Sequence, residues 1–447
     1  MKLHFATPLA LPLYGFSGAI FVGAILLWLP ISWAGAPVSF IDALFTSTSA
    51  VCVTGLSSVD ITTHFNHTGH IIIMSLVQLG GLGIITYSSL FMFLWRKRVS
   101  LTDRLSVGRA LLHDTSFDLG RFLTIIVVVT LTLEALGFLA IRLSAPELPF
   151  FSSLFLAVSS FCNAGFALLP DNLIPYRSNV GINLAVAGLI TCGGIGFAVL
   201  EDIIWLVRCK FLGIKYRLAL SSRVIINVSL LLTFGGTLVI FILEILAGHD
   251  YGGTGTNLLS AFFQSVTCRT AGFNTVPIGQ MSSAALVFMI FLMFIGGSPG
   301  SCAGGIKTTT ARVLASFVKN RFRPVHQITL GTRAASNATL NNAITLFIFA
   351  LLTVSTAVFI LLITESGSPG ADVNHKLFLN VLFETVSAFG TVGLSMEFTG
   401  TLTVAGKCVI ICMMFIGRVG PLWVLSALHQ LQRERSYDLP EVDLPIG

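Results

Sequence analysis

Four twelve-residue segments of this chain align with one another without gaps. Each begins with Phe and ends in Gly followed by Leu or Phe; the segments span residues 45–56, 155–166, 262–273 and 383–394. Their glycines recur at intervals of roughly 105–120 residues, a period that indicates an internal repeat; they are Gly55, Gly165, Gly272 and Gly393. One copy of the motif in each hydrophobic unit predicts four copies of one element around a common axis, which is the arrangement of a pore.

The composition is that of an integral membrane protein. Of the 447 residues, 54% are hydrophobic and 10% are charged, whereas a soluble domain carries about 25% charged residues. Apolar runs long enough to cross a hydrocarbon core of about 30 Å recur in pairs; they lie near residues 12–34, 69–95, 121–143, 179–207, 224–247, 282–314, 341–364 and 403–431. We therefore predict an all-α membrane protein with eight transmembrane helices and four re-entrant half-helices, arranged as four M1–pore loop–M2 repeats around a pseudo-fourfold pore.

The repeats divide the chain into consecutive units. Repeat 1 covers residues 1–98, a cytoplasmic linker and repeat 2 cover 99–210, repeat 3 with a broken M2 covers 211–320, repeat 4 covers 321–435, and a short cytoplasmic tail covers 436–447. The first apolar run follows a single Lys2 and has no cleavage-site pattern, which predicts a mature helix and not a signal peptide.

Lys and Arg residues concentrate in alternate connections between the spans. They cluster at residues 96–109, 208–223, 312–333 and 433–435. These connections and both termini are therefore predicted to be cytoplasmic, and the net charge of +6 follows from topology without nucleic-acid binding. The carboxylates on the opposite side either raise the local cation concentration or are ordinary surface groups; they include Asp60, Glu147, Asp171, Asp250, Asp372 and Glu397.

The aligned segments, which we call the filter segments, have the chemistry of a cation filter. Each half-helix runs inward from an outer cap, predicted at Asp42, Ser152, Asn257 and Asn374. The inward C-terminal ends each carry about half a negative charge, which favours a cation. Backbone carbonyls replace the hydration shell of an ion only when successive peptides face the axis, and glycine supplies the positive φ that this needs. The neighbours that contribute carbonyls are predicted to be Thr54, Asn163, Thr270 and Thr391. The alternative is that the glycines only pack helices, but four at one alignment position favour a filter.

A second glycine motif follows each filter glycine in the second outer helix. Its copies lie at residues 80–83, 193–196, 296–300 and 417–420. In the third repeat the motif expands to GGSPGSCAGGIKTTT, and so many glycines with a proline do not remain a regular helix. We predict an intramembrane loop over residues 296–305 that gates the pore from below, its glycines being Gly296, Gly297, Gly300, Gly304 and Gly305. The alternative is a static kink without a gating role.

In the fourth repeat Arg418 takes the position that glycine has in the other three. A charge inside a span costs at least about 2.5–3.5 kcal/mol and usually faces a cavity. Arg418 is therefore predicted to be an electrostatic barrier below the filter or an anchor for the loop of the third repeat; a structural ion pair is the alternative. Glu134 and Glu244 are expected at corresponding places in the first helices of repeats 2 and 3, outside the conduction path.

With these motifs in view, the chain resembles the Trk/Ktr/HKT superfamily of potassium transporters, and within it the Ktr-type pore subunit. The resemblance rests on the four filter segments, the GGSPGSCAGGIKTTT break and the arginine of the motif at residues 417–420. It implies potassium uptake through one pore per protomer, with the four glycines as the filter, the break as the gate and Arg418 below the filter. The K⁺ ion is then expected at backbone carbonyls near Val53, Cys162, Cys268 and Gly390.

The resemblance also implies partners and a location. Pore subunits of this type form homodimers in the cytoplasmic membrane, in contact with lipids, and a separate cytoplasmic ring of nucleotide-binding subunits senses ATP and ADP. No covalent cofactor is expected, and the sequence has no nucleotide-binding motif of its own. Glycine at the first filter position favours potassium over sodium, whereas the choice between sodium permeation and sodium activation stays open.

Other classes of function fit less well. An alternating-access carrier is commonly built on inverted repeats, whereas all four units here have the same orientation. An intramembrane enzyme needs clustered polar partners at depth, and the histidines lie mostly in loops or near helix ends. Within the transport class, a gated channel and a sodium-coupled symporter both remain open.

Overall fold

The computed structural model describes residues 11–94, 119–322, 329–330, 333–366 and 374–431. These residues are mostly helical, and one short antiparallel pair joins β1 (Thr329–Leu330) to β2 (Arg333–Ala334). The predicted all-α class is confirmed. The tail predicted at 436–447, the basic cluster at 96–109 and the first ten residues lie outside the described residues.

The α-helices of the described residues are numbered here in chain order. They are α1 (Leu11–Trp28), α2 (Phe40–Val51), α3 (Ile61–His64), α4 (His67–Leu94), α5 (Leu119–Ser144), α6 (Phe150–Cys162), α7 (Val180–Ile195), α8 (Phe197–Phe211), α9 (Leu220–Leu246), α10 (Thr254–Thr267), α11 (Ser283–Phe294), α12 (Thr308–Arg321), α13 (Asn337–Glu365), α14 (Asn374–Gly390) and α15 (Val404–Leu431).

The helices follow one order four times along the described chain. A long helix (α1, α5, α9 or α13) precedes a short one (α2, α6, α10 or α14), then a filter segment ends, and a second helix begins (α4, α7, α11 or α15). Short 3₁₀ turns and α3 lie in the connections. The second helix of each group packs against the short helix of the next; the pairs are α4 with α6, α7 with α10, α11 with α14, and α15 with α2. Because the last pair returns to the first group, the helices form a closed ring.

Several helices of the described part have the length and apolar character of a membrane span. Three helices are long and apolar enough to cross a bilayer, over residues Thr124–Ser144, Leu220–Leu246 and Asn337–Glu365, and the bent pair α7–α8 is a fourth if it is one span. Large apolar side chains of α9 face outward, among them Leu231, Phe234 and Leu238. An outward apolar surface of this kind suits contact with lipid. The protein is a multi-pass membrane protein.

Three of the four second helices are interrupted at their glycine motifs, whereas α15 continues through its motif. Helix α11 ends at Phe294 and α12 begins at Thr308, so the interruption predicted for the third repeat is present. Two further second helices bend at their motifs. Gly83 has φ 80° inside α4, and Gly196 has φ 97° between α7 and α8, which meet at 106°. Both are the last glycine of a GGxG sequence, and their positive φ ends the regular helix.

Candidate functional site

The four short helices end directly before the filter glycines. Their last residues lie three to five positions ahead of the glycine; they are Val51, Cys162, Thr267 and Gly390. The helix ends therefore bring their C-terminal carbonyl groups, and the partial negative charge of those groups, next to the glycines. This is the arrangement that a cation site at the axis requires.

The predicted caps of three of these helices are wrong by about one turn. The N-caps are Ser39, Pro149 and Gly253. At α2 the Ser39 hydroxyl accepts a hydrogen bond from the Asp42 amide at 3.2 Å and donates one to the Asp42 carboxylate at 2.6 Å. A carboxylate in the first turn interacts favourably with the positive end of the helix. Asp42 therefore indicated where α2 begins, although the N-cap residue is Ser39.

The four filter glycines form a closed ring of close backbone contacts. Glycine has no Cβ atom. If one were added at Gly55 it would lie 2.5 Å from the Ala164 carbonyl oxygen, and one added at Gly165 would lie 3.0 Å from the Ala271 oxygen. The same construction on Gly272 and Gly393 meets the oxygens of Val392, at 2.6 Å, and Thr54, at 2.0 Å. Each glycine thus packs against the residue that precedes the next glycine, and the ring leaves no room for a side chain.

The backbone of all four segments alternates in handedness. The filter glycines have φ between 72° and 98°. The residue two positions earlier also has positive φ, at 57°, 61°, 68° and 50°; these residues are Val53, Asn163, Thr270 and Thr391. Positive φ is costly for residues other than glycine. Its recurrence at four equivalent positions therefore indicates that the surrounding structure imposes this backbone conformation. Thr54 was predicted together with the other three as a neighbour that contributes a carbonyl; in the first segment Val53 occupies the equivalent position, and Thr54 lies between the two positive-φ positions.

A serine behind the filter holds the segment in two of the groups. The Gly55 amide donates to Ser49 Oγ at 3.0 Å, and the Gly393 amide donates to Ser387 Oγ at 3.1 Å. Both serines occupy the same alignment position, which Ser159 also occupies in the second segment. Sequence reasoning missed these residues, although their identical position in three of the four segments was a visible signal.

The second glycine motifs pack against the ends of the short helices. A Cβ atom on the first glycine of three motifs would lie within 2.1 Å of a carbonyl oxygen; the pairs are Gly80 with Val51, Gly193 with Phe161, and Gly417 with Phe389. Only a residue without a side chain allows this approach. The motifs therefore support the filter segments from behind, in addition to any bending of the helices.

The loop at residues 295–307 closes on itself at its base. Ile295 and Ile306 form a parallel β-bridge, and the Gly296 amide donates to the Ile306 carbonyl at 2.8 Å. The Lys307 ammonium group donates to the Ala303 carbonyl at 2.7 Å. Several backbone polar groups of this non-helical segment are thus paired within the protein.

Backbone hydrogen bonds tie the loop to the second group of helices. The Ser298 amide donates to the Gly194 carbonyl at 3.0 Å, and the Cys302 amide donates to the Gly193 carbonyl at 3.1 Å. These two acceptors belong to the glycine motif at the end of α7. The loop therefore lies against the second group, while its flanking helices belong to the third.

The same loop reaches the fourth filter segment. A Cβ atom on Gly304 would lie 2.2 Å from Thr391 Oγ1, and one on Gly305 would lie 3.3 Å from the Gly390 Cα. The glycines of the loop thus meet the end of α14 at van der Waals distance. Side chains here would separate the loop from the filter segment.

Arg418 joins the loop to the first group. It is 7% exposed, its Nη1 donates to the Cys302 carbonyl, and its Nη2 donates to the Gly80 carbonyl at 2.7 Å. Three roles were considered for Arg418: a barrier to ions, an anchor for the loop and a structural ion pair. The hydrogen bond to Cys302 is the contact expected of an anchor. The guanidinium group also places a positive charge among the glycine motifs.

The buried glutamates do not correspond as predicted. Glu244 lies near the end of α9 and accepts hydrogen bonds from the amide and hydroxyl of Ser282, the N-cap of α11. Glu365 does the same for Thr403, so it is the counterpart of Glu244. Glu134 instead lies in the middle of α5, where Gln78 Nε2 donates to it at 3.3 Å. Glu134 and Glu244 therefore lie at different heights in their helices, because ten residues of α5 follow Glu134 whereas two residues of α9 follow Glu244.

Two further buried charges adjoin the filter and were missed. Arg269 lies three residues before Gly272, is 8% exposed, and donates from Nη2 to Ser229 Oγ on α9 at 2.9 Å. Glu384 lies in α14 and accepts from Ser395 Oγ at 2.9 Å and from the Thr399 hydroxyl. Neither residue recurs in the other filter segments, so the repeat gave no reason to single them out.

A family model described as TrkH, cation transport protein, matches residues 19–434. The chain belongs to the TrkH family of cation transport proteins. The predicted resemblance to Trk/Ktr pore subunits is confirmed, and a member of this family is a transporter and not an enzyme.

Known proteins resemble the chain along nearly its whole length. It is 38% identical over 452 residues to the potassium/sodium uptake protein NtpJ of Enterococcus hirae, covering 99% of this chain and 97% of that protein. It is 39% identical to the Ktr system potassium uptake protein B of Bacillus subtilis, and the alignment covers 94% of this chain and 92% of that protein. The crystal structure of the potassium transporter TrkH from Vibrio parahaemolyticus matches with a TM-score of 0.72 at 20% identity, covering 96% of this chain and 86% of that one, which shows a shared fold.

Proposed function

We propose that this TrkH-family protein takes up potassium ions across the cytoplasmic membrane through a pore whose selectivity filter is the ring of Gly55, Gly165, Gly272 and Gly393. The observation that carries the proposal is the closure of that ring, in which each glycine packs against the residue before the next one. The names of the two relatives described above, a potassium/sodium uptake protein and a potassium uptake protein, support the choice of ion.

The filter acts through backbone oxygens. The alternating sign of φ at Val53 and Gly55, and at the equivalent pairs, turns successive carbonyl groups toward the same side. Oxygens arranged in this way replace the hydration shell of K⁺, and the four inward helix ends add favourable charge. We expect the ion at carbonyls near Val53, Cys162, Cys268 and Gly390, with Thr54, Asn163, Thr270 and Thr391 beside it. The side chains need not touch the ion.

The loop at residues 296–305 gates this pore. Its contacts with the second and fourth groups of helices support the role, because a non-helical segment with closely spaced glycines changes conformation more readily than a packed helix. Arg418 keeps the closed position through its bonds to Cys302 and Gly80. Opening then requires that these two bonds break together. The ion path below the filter widens when the loop leaves the Thr391 side chain.

The protein works as part of an assembly. The name "Ktr system" of one relative supports a transport system with more than one component. We expect a homodimer of pore subunits with both termini in the cytoplasm, four repeats with the boundaries given above, and a cytoplasmic ring of nucleotide-binding subunits that responds to ATP and ADP. Sodium acts as an activator or as a second permeant ion.

Potassium uptake by cells without their own uptake systems tests the proposal. We compare wild type, Gly272→Ser and the control Gly235→Ser, each with and without sodium. Gly235 lies in α9 with nothing within 4 Å of a built Cβ atom, so its substitution leaves the filter intact.

The expected result is a lower apparent affinity for potassium in Gly272→Ser at unchanged expression, with wild-type uptake in the control. Unchanged uptake by Gly272→Ser would remove the glycine ring from the selectivity mechanism. The comparison with and without sodium separates a plain potassium pore from a sodium-dependent one.

A further inference from the structure

Helix α8 departs from the course of the membrane span before it. It meets α7 at 106°, so if α7 crosses the bilayer, α8 runs nearly parallel to the membrane surface. Its last turn carries Arg208 and Lys210, and basic residues of this kind mark the cytoplasmic side. The sequence predicted one continuous span over residues 179–207, whereas the chain bends by 106° between α7 and α8.

One face of α8 packs inward and the other is open. Phe197, Val199, Asp202 and Cys209 are buried. Asp202 accepts hydrogen bonds from the Tyr216 hydroxyl at 2.5 Å and the Ala219 amide at 2.9 Å, which fastens the helix to the connection that leads to α9. The orientation of α8 is therefore defined by its buried side.

The open face holds an apolar groove with a basic rim. The groove is lined by Ile203, Ile204, Val207, Arg208, Phe211 and Leu212. Phe211 is 88% exposed. The Arg208 guanidinium carbon lies 5.4 Å from the centre of the Trp205 ring. The exposed Lys210, Lys215 and Arg217 add positive charge nearby, and Glu201 is the partly buried acidic residue on the same helix.

We propose that this groove binds an anionic phospholipid of the cytoplasmic leaflet. An acyl chain fits the apolar wall formed by Ile204, Val207 and Phe211, and the phosphate accepts paired hydrogen bonds from Arg208, because a guanidinium group binds phosphate through two parallel N–H donors. Surface helices with one apolar face, aromatic residues and basic residues bind membranes in this way. Charge complementarity selects an anionic headgroup over a neutral one.

The site is connected to the loop below the filter. The Phe197 amide, the first of α8, donates to the Gly300 carbonyl at 3.1 Å, and a Cβ atom on Gly196 would lie 2.8 Å from the Pro299 oxygen. A lipid that binds this orientation of α8 more tightly than any other shifts the equilibrium toward it. It thereby also favours the loop position that this hydrogen bond defines. The regulatory part of the inference rests on the proposed function, whereas lipid binding does not.

The binding test uses the purified full-length protein and native mass spectrometry with phosphatidylglycerol and phosphatidylcholine. The test variant is the double substitution Arg208→Gln and Lys210→Gln. The control is Lys319→Gln with Arg321→Gln, which removes the same charge from the exposed end of α12. We expect wild type and control to prefer phosphatidylglycerol, and the test variant to bind it about fivefold more weakly for each charge removed.

Three results would overturn the proposal. These are equal phosphatidylglycerol binding by wild type and the α8 variant, equal losses in the α8 and α12 variants, and no preference for phosphatidylglycerol in the wild type. Potassium flux in vesicles of phosphatidylcholine with and without phosphatidylglycerol then measures the coupling: wild type should respond to the anionic lipid and the α8 variant should not. Absence of flux in every composition would contradict the proposed function and leave the binding result standing.

Discussion

The Nζ atom of Lys407 lies 2.7 Å from the Oδ1 atom of Asp42, although 365 positions separate the two residues in the chain. Asp42 is in the first turn of α2, and Lys407 is in the first turn of α15. Their side chains are 15% and 13% exposed. The ion pair therefore fastens the fourth group of helices to the first, at the place where the ring closes.

Breaking this pair should destabilise the protein without altering the filter. We expect Lys407→Met to lower the free energy of unfolding by about 2 kcal/mol. This loss lies between the small effect of breaking an exposed ion pair and the larger effect of breaking a buried one. Thermal unfolding in detergent measures it, with Lys319→Met as the exposed control. The charge-reversed double variant Asp42→Lys with Lys407→Asp should recover part of the loss. Equal unfolding of wild type and Lys407→Met would mean that ring closure does not depend on the pair.

A methyl group at Gly393 should disrupt the filter. A Cβ atom there lies 2.0 Å from the Thr54 oxygen, and the backbone has φ 91°, which alone costs about 1–2 kcal/mol for a residue with a side chain. We expect Gly393→Ala to lose potassium selectivity, measured as the reversal potential in mixed potassium and sodium. Gly400→Ala is the matched control, because its nearest atom lies at 3.9 Å. Unchanged selectivity in Gly393→Ala would contradict a rigid ring.

Loss of the Arg418 guanidinium group should loosen the loop. Arg418→Gln removes charge-assisted hydrogen bonds to the carbonyls of Cys302 and Gly80, each worth about 1.5–3 kcal/mol. We expect at least about a tenfold rise in potassium flux through purified protein in liposomes without regulatory partners, since about 1.4 kcal/mol changes an equilibrium tenfold. Arg321→Gln, at the exposed end of α12, should behave as wild type. A fall in flux would assign Arg418 to conduction instead of closure.

Arg269 should position the third filter segment. It touches Ser229 on α9 and lies next to the segment, so Arg269→Gln removes a hydrogen-bonded buried cation. We expect the potassium concentration for half-maximal uptake to rise about tenfold, as for a loss of about 1.4 kcal/mol, while the maximal rate per molecule stays close to wild type. Arg269→Lys should recover part of the affinity and Ser229→Ala should show a smaller rise. A loss of maximal rate alone would indicate a folding defect.

Local signals in the sequence sufficed for the filter segments and the interruption after Phe294. Glycine at the same place in four segments, and a proline among closely spaced glycines, each change the backbone where they stand. The sequences at Gly83 and Gly196 contain a similar run of glycines, but a GGxG sequence is also compatible with a continuous helix that packs closely against a neighbour. The positive φ of Val53 was not expected, because it is imposed by the ring and not by the preference of valine.

The sequence by itself determined that this chain forms apolar helices in repeated groups and where the backbone leaves the helix, because hydrophobic length and glycine content act over a few residues. Only the tertiary structure decided which atoms meet around the axis. Arg418 reaches Gly80 across 338 positions, and the Arg269–Ser229 contact spans 40. Such contacts have no local cause. They form only when all four groups pack together, because closure of the ring brings distant backbone carbonyls and buried charges within hydrogen-bonding distance.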